Sequence, residues 1–484
     1  MNFIYDIIII GAGVVGCAIA RELSRYDVSI AVIEKECDVG MATSSKNSGV
    51  IHAGFNCSPG ALKTGFCVEG CKRFEGFCKE LDVPYKRTGK LVIAFDEKDL
   101  LGLKKLKDIG DINGVEGLQI IDKEEIHRLE PNVGGIAALY SPMTAVTSPY
   151  QLTIALAENA ALNGVSFYLN NEVKSIKKKG IICKIYTDKQ EYSTKYIINC
   201  AGLFSDKIAR MIGMKGMRLY PCRGEYFILD KKLNKSLNMP VYPVPRPEEG
   251  GLGVHLTTTI DGNILVGPSA EYIKCRNDYS TTETVMNKLF NEAKELLPII
   301  EKKDFIRQYS GIRPKLLGSR TGGFGDFYIK ESDTFENMVN LIGIESPGLT
   351  SAPLIAEYVT SLILEKVKLK LKDRFNPIRK APIQFSQLSE KEKQDLILKD
   401  PEYGEIVCRC EGVTLKEIRQ AINNSLGVKS IAAIKYRTRA MMGRCQGGYC
   451  LTRVISSLIN ESGVSPQEIN YKSNGSYMFS GRVK

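Results

Sequence analysis

Two pairs of cysteines near the end of the chain, Cys408-Arg-Cys410 and Cys445-Gln-Gly-Gly-Tyr-Cys450, have the arrangement that a four-thiolate metal site requires. The chain reverses within each pair, and the interval between them is about one small folded unit. The other end carries Gly11-Ala12-Gly13-Val14-Val15-Gly16, directly after the apolar run Ile7–Ile10 and ahead of a helical repeat of Ala18, Ile19 and Leu23. In that setting the first glycine makes a tight turn, the second lets a pyrophosphate approach the backbone, and the third packs helix on strand. Glu34 ends the next strand, Val28–Ile33, where it can accept from ribose hydroxyls. NAD and FAD both satisfy this fingerprint, and the distant cysteines separate them. An iron–sulfur centre passes single electrons, a nicotinamide exchanges a hydride, and a flavin does both, so FAD is the expected nucleotide. Zinc also accepts four thiolates. A flavin on the same chain gives an iron–sulfur cluster a purpose, so the cluster is the expected occupant.

Removing a hydride from an alcohol carbon also means removing the hydroxyl proton, a task suited to a neutral imidazole. Of three histidines, His52 lies in Ser48-Gly-Val-Ile-His52-Ala-Gly54 and His255 in Gly253-Val-His255-Leu256, while His127 sits in a charged helical stretch and reads as a surface residue. In Tyr309-Ser-Gly-Ile-Arg313-Pro-Lys315 the backbone around Arg313 is fixed by Gly311 and Pro314, so its guanidinium could grip a carboxylate or phosphate bidentately. Arg223 is a weaker second candidate. The substrate expected from these residues is a small anionic alcohol.

The elements that must position these groups follow from periodicity. Residues 3–34 read strand, glycine turn, helix, strand, and 150–215 alternate again, beginning with an amphipathic helix from Tyr150. From about 218 to 330 the pattern is β-rich and punctuated by glycine. Strand Met338–Ile344 then leads into a helix Ala352–Glu365. The expected fold class is α/β: a Rossmann-like FAD-binding domain (segments near 1–90, 150–215 and 335–365) with a β-rich substrate domain (near 90–150 and 216–334), plus a small C-terminal [2Fe–2S]-binding domain over 402–465. Residues 366–401, rich in lysine and proline, read as a flexible linker, and 466–484 as a polar tail. Thr414-Leu-Lys-Glu417 is a capping box, with Val413 and Ile418 placed for a hydrophobic staple.

The 484 residues are 43% hydrophobic and 25% charged, ordinary for a globular protein. A net charge of +11 invites a nucleic-acid reading, but the basic residues are scattered and no aromatic–basic stripe accompanies them, so no nucleic acid is expected. No apolar run is long enough for a bilayer, and fourteen cysteines without a secretory signal fit a cytoplasmic protein of reduced thiols. Arg409, Arg437, Arg439 and Arg444 are expected to counter the cluster's negative charge.

Beyond the glycine fingerprint, Ala42-Thr-Ser-Ser-Lys-Asn-Ser-Gly-Val-Ile-His-Ala-Gly54, Asn199-Cys-Ala-Gly202 and Gly343-Ile-Glu-Ser-Pro-Gly-Leu-Thr350 resemble, in order, the flavin-contact segments of the D-amino-acid-oxidase-like FAD superfamily. The resemblance implies a bilobal fold over residues 1–365 with non-covalent FAD. Its phosphates would meet Gly11, Ala12, Gly13, Val15 and Gly16, with its ribose side near Glu34, Lys35 and Val173. The rest would be clamped by Thr43, Ser44, Ser45, Asn47, Ser48 and Gly49, by Ala201 and Gly202, and by Gly348, Leu349 and Thr350. The segments around His52, His255 and Arg313 resemble flavin-dependent glycerol-3-phosphate dehydrogenases and L-2-hydroxyglutarate oxidases. The cysteine module is similar to bacterioferritin-associated-ferredoxin-like [2Fe–2S] modules and to the C-terminal domain of anaerobic glycerol-3-phosphate dehydrogenase large subunits. This implies a dehydrogenase for glycerol 3-phosphate that hands electrons to a partner acceptor protein, with peripheral membrane association possible through that partner. A 2-hydroxy-acid dehydrogenase and a non-catalytic flavin/iron–sulfur electron carrier are the alternatives.

Overall fold

The computed structural model describes residues 3–245, 253–321, 323–473 and 475–481. An eight-stranded sheet is built on the strand Ile4–Ile10, whose apolar residues from Ile7 onward are buried on both faces. It lies parallel between Ile30–Ile33 and Glu191–Asn199. The long strand Glu191–Asn199 changes partners along its length. Its first half pairs antiparallel with Ile182–Thr187, and its second half parallel with Met338–Ile342. All the parallel strands therefore end on the same side, where ligands of open α/β sheets collect.

Helices Val14–Leu23, Pro149–Leu162 and Gly348–Leu364 cover one face and share one apolar core with it. The helix from Pro149 is buried around most of its circumference, so the amphipathic pattern expected there is absent. It is enclosed by Val14–Leu23 on one side and by the C-terminal helix Ile431–Thr438 on another. A nine-stranded sheet forms the second lobe. Its spine is the antiparallel pair Tyr220–Leu229 and Phe305–Lys315, in register from Tyr220↔Lys315 to Ile228↔Arg307. A cluster of aliphatic residues, including Leu91, Ile264 and Leu289, packs behind it.

Residues 366–401 differ from a free tether. Leu371 bridges to Tyr26, Arg379 pairs with Glu158 at 2.7 Å, and the buried Arg21 donates to the carbonyl of Pro377 at 3.0 Å. Helix Glu390–Lys399 follows, started by a Ser389–Glu392 capping box. The segment is a strap fastened to the first lobe by backbone and charge, signals that its low apolar periodicity hides.

The C-terminal unit has its own core of Val407, Ile418, Ile434, Val454 and Leu458. Its helix Leu415–Ile422 begins with the Thr414–Glu417 capping box, and both staple residues, Val413 and Ile418, are buried. The segment after 465 is not a free tail: Ile469 is fully buried, and the Lys472 carbonyl accepts from the Cys37 thiol at 3.0 Å. The unit docks through Arg437, which donates to both oxygens of Asp38 at 2.6 and 3.2 Å with both side chains buried, and through Tyr436 stacked on Tyr150 at 5.1 Å. Two of the arginines assigned to the cluster are thereby corrected. Arg437 is bound to Asp38, and Arg439 is held by Asp261 and Glu411, because both project from the end of a helix that faces the body.

Candidate functional site

The glycine turn forms a cradle that no side chain could share. Gly11 has φ +106°, and a Cβ there would lie 2.4 Å from the Cys200 carbonyl oxygen; one on Gly16 would lie 2.0 Å from the Gly11 carbonyl oxygen. Helix Val14–Leu23 starts at Gly13, which has no side chain to cap it, and beyond Val14 its first-turn residues Val15 and Gly16 line the adjoining cavity. The Ser44 hydroxyl accepts from the Val14 amide at 2.9 Å. The Glu34 carboxylate accepts from the Ala12 amide at 2.7 Å and the Glu36 amide at 2.9 Å. Burial raises its pKa and these amides oppose the rise.

From this turn a cavity of about 500 Å³ runs between the two lobes. Gly13, Val15, Gly16, Thr43, Ser44, Asn47, Ser48, Gly202, Gly348 and Leu349 line it, together with His52, His255 and Arg313. Residues that sequence reasoning placed in three separate segments thus meet in one space. Gly11, Ala12, Glu34, Gly49, Ala201 and Thr350 stand behind the lining; Thr350 fixes the catalytic-candidate loop by accepting from the His52 amide at 3.0 Å. Lys35 instead lies over Phe204, Val173 packs into the core behind the sheet, and Ser45 lines a neighbouring cavity. The donor set suits a dinucleotide: open amides at the phosphate end, small hydroxyls along the middle, and the N-terminus of helix Gly348–Leu364 at the far end.

The end of the cavity nearest Arg313 is cationic. The Arg313 guanidinium is oriented by the Ser269 carbonyl at 2.9 Å and the Cys222 sulfur at 3.4 Å, and pairs with no carboxylate among the described residues. Its charge is therefore available to an anion. Nδ1 of His255 donates to the Gly253 carbonyl at 3.1 Å, which leaves Nε2 with its lone pair, and the ring stacks on Tyr242 at 3.7 Å. The His52 ring nitrogens make no hydrogen bond among the described residues. Burial, reinforced by Lys90, lowers His52 to about 3 and His255 well below the imidazole range, so both rings are neutral. Arg223 is ruled out as a substrate cation, since Glu225, Glu271 and Asp278 surround it.

Sequence reasoning missed Lys90. It opens the apolar strand Leu91–Ala94 and lies over the Tyr242 ring at 3.4 Å; burial lowers it to about 7. The available signal was a lone lysine heading an uninterrupted apolar run. Lys315 also borders the cavity, neutralised by the buried Glu345 at 2.9 Å.

At the C-terminal unit the thiols form two close pairs that cross between the motifs. Cys410 and Cys445 lie 3.6 Å apart at the surface, while Cys408 and Cys450 interact below it. No set of three or more His, Cys, Asp or Glu side chains converges on one point among the described residues. Two pairs suit a binuclear iron–sulfur cluster, in which four thiolates are shared between two irons.

Residues 6–362 match the family model of FAD dependent oxidoreductases, and residues 406–460 match that of the BFD-like [2Fe-2S] binding domain. The chain is 42% identical over 483 residues to a glycerol 3-phosphate dehydrogenase of Caloramator mitchellensis, covering 99% of each. It is 32% identical to the mitochondrial L-2-hydroxyglutarate dehydrogenase of Arabidopsis thaliana, over 74% of this chain and 83% of that one. Among solved structures it resembles the FAD-bound, dithionite-reduced L-α-glycerophosphate oxidase of Mycoplasma pneumoniae, with a TM-score of 0.74 and 30% identity over 79% of this chain and all of that one. With a cradle shaped for a dinucleotide at one end and two crossed thiol pairs at the other, the chain belongs to the FAD dependent oxidoreductases and carries a BFD-like [2Fe-2S] binding domain behind the flavin-binding body.

Proposed function

We propose that the protein is a dehydrogenase that oxidises sn-glycerol 3-phosphate to dihydroxyacetone phosphate and delivers the electrons to a separate acceptor protein. The observation that carries this reading is Arg313, a half-buried guanidinium with no carboxylate partner among the described residues, opening on the same cavity as two neutral imidazoles. In this reading Arg313 grips the phosphate and fixes the carbinol carbon between the lobes. The free Nε2 of His255, or the unpartnered ring of His52, takes the hydroxyl proton, and burial keeps either imidazole in the base form at neutral pH. Bound FAD would supply the hydride acceptor, and a bound [2Fe–2S] cluster a one-electron exit.

Residues 1–365 then carry the oxidation and 402–465 the relay, joined by the strap 366–401. No helix among the described residues is long and apolar enough to cross a membrane. We place the protein in the cytoplasm, with any contact to the membrane made through the acceptor. Phosphate is preferred to carboxylate because likeness to the glycerol 3-phosphate dehydrogenase runs through the cysteine module, whereas the L-2-hydroxyglutarate dehydrogenase match spans 74% of this chain. Anaerobic bleaching of the flavin by glycerol 3-phosphate and by L-2-hydroxyglutarate, side by side, tests the choice. Bleaching by the hydroxy acid alone refutes it, and bleaching by neither favours an electron carrier.

A further inference from the structure

On the other side of the Ser45–Ser48 loop lies a second cavity, of about 330 Å³, enclosed between the body and the docked C-terminal unit. Its size is that of a small-ligand site. Its chemistry is not that of a packing fault. Five basic side chains border it, Lys46, Arg307, Lys435, Arg439 and Lys472, against one carboxylate, Asp261, which Arg439 already engages. Arg307 donates to the Gln446 side chain at 2.6 Å and Lys46 to the Met41 carbonyl at 2.7 Å; neither these two nor Lys435 and Lys472 has a carboxylate partner among the described residues.

Three buried donors on residues of the lining make no well-formed hydrogen bond among the described residues: the hydroxyls of Ser148 and Ser310 and the ammonium of Lys435, whose residue is 6% exposed. Buried polar groups are almost always paired, and three orphans on residues of one lining mark a wall short of acceptors. Burial and the neighbouring cations Arg307, Lys472 and Arg439 lower Lys435 to about 7. Gathering like charges away from water is unfavourable unless an anion joins them. Lysines act on phosphate as point charges, and tyrosine rings supply the opposite wall.

We propose that this cavity binds a small organic phosphate, its anionic end held by Lys46, Lys435 and Lys472 and its planar body packed among Tyr150, Tyr309 and Tyr436. The ligand would touch both the loop bordering the dinucleotide cavity, through Lys46, and the cysteine loop, through Arg307 and Gln446, so its occupancy would tighten the seam between the two units. The site stands apart from the proposed substrate residues and does not depend on which alcohol is oxidised.

The test uses full-length protein loaded with FAD and two probes, AMP and inorganic pyrophosphate. Binding is followed by equilibrium dialysis, with free flavin outside the membrane checked to exclude displacement of FAD. AMP is expected to bind saturably and raise the melting temperature. Its affinity is expected to fall at least about ten-fold in Lys435→Met and in Lys472→Gln, and pyrophosphate, lacking the ring, to bind at least about ten-fold more weakly than AMP. Lys472 is only partly buried, so Lys472→Gln carries the test if Lys435→Met fails to fold. Absence of saturable AMP binding, binding unchanged in the variants, or pyrophosphate binding as tightly as AMP would overturn the proposal.

Discussion

The proposed role of Arg313 can be probed by two changes that alter its geometry while leaving a positive charge in place. Arg313→Lys keeps the cation but removes the planar fork, so at least one charge-assisted hydrogen bond to the substrate anion is lost. Such a bond contributes about 1.5–3 kcal/mol, which corresponds to a rise in KM of roughly ten- to one-hundred-fold. Gly224→Ala reaches the same group from behind. A Cβ on Gly224 would lie 2.6 Å from Nη2 of Arg313, 3.0 Å from Pro268 Cβ and 3.1 Å from the Ser269 carbonyl oxygen. The guanidinium is the movable member of that set, so it should be pushed off the Ser269 carbonyl that orients it at 2.9 Å. Its effect on KM should point the same way and be smaller than that of Arg313→Lys. The assay is steady-state oxidation of glycerol 3-phosphate with an artificial electron-accepting dye, which reoxidises the flavin without the acceptor protein and so gives KM. Unchanged KM in both variants would show that the anion is held elsewhere and would remove the main support for the substrate reading.

Three further outcomes are expected. Lys90 is held near 7 by burial, so between about pH 7 and the usual lysine value of about 10.4 the folded chain binds fewer protons than the unfolded one, and stability should climb as pH rises through that window. Lys90→Met should flatten part of that slope in urea unfolding followed from neutral to alkaline pH; an identical slope in variant and wild type contradicts the assignment. Arg437→Met strips the buried Asp38 of its partner and should cost about 3–5 kcal/mol, read as a lower unfolding midpoint and faster proteolysis in the 366–401 strap, whereas a midpoint equal to wild type would mean the pair does not hold the seam. Cys410→Ser should abolish the paramagnetic signal of the reduced cluster while leaving anaerobic flavin bleaching intact, and zinc without iron or sulfide in protein purified without air would sink the relay.

The dinucleotide half was legible because its constraints are local. Gly11, Gly13 and Gly16 are dictated by close backbone approach within one turn, and the apolar run Ile7–Ile10 announces a strand buried on both faces. The cysteine pairs were legible by spacing, and the Thr414–Glu417 box by its four-residue signature. What escaped was everything decided by long-range pairing. Nothing near Arg437 in the sequence points to Asp38, 399 positions away, and nothing near Arg439 points to Asp261. The strap was misread for the same reason, since its order comes from Arg21, Glu80 and Glu158 on the body. Lys90 escaped because a single charge at the head of a strand is ordinarily solvated, and only the rings of Phe55 and Tyr242 closing over it make it a buried one.

The docking of the C-terminal unit bears on how the two proposed centres could work together. A one-electron transfer slows steeply with distance, so a relay on a loose tether would spend most of its time out of range. This unit is held by a buried ion pair, a tyrosine stack and a strap fastened along its length, and its cysteine loop touches Arg307 on a strand of the nine-stranded sheet directly. The thiols are arranged asymmetrically on that docked unit: Cys408 and Cys450 are buried, while Cys410 and Cys445 are exposed. Beside the exposed pair, Arg409 lies over the half-exposed ring of Tyr449 at 4.4 Å. An exposed aromatic carrying a cation is the composition favoured at the centre of protein interfaces. An acceptor protein reading that face would meet the outer thiols first, with the inner pair set in the core of the unit behind them, and the docked unit would need no large motion to present them.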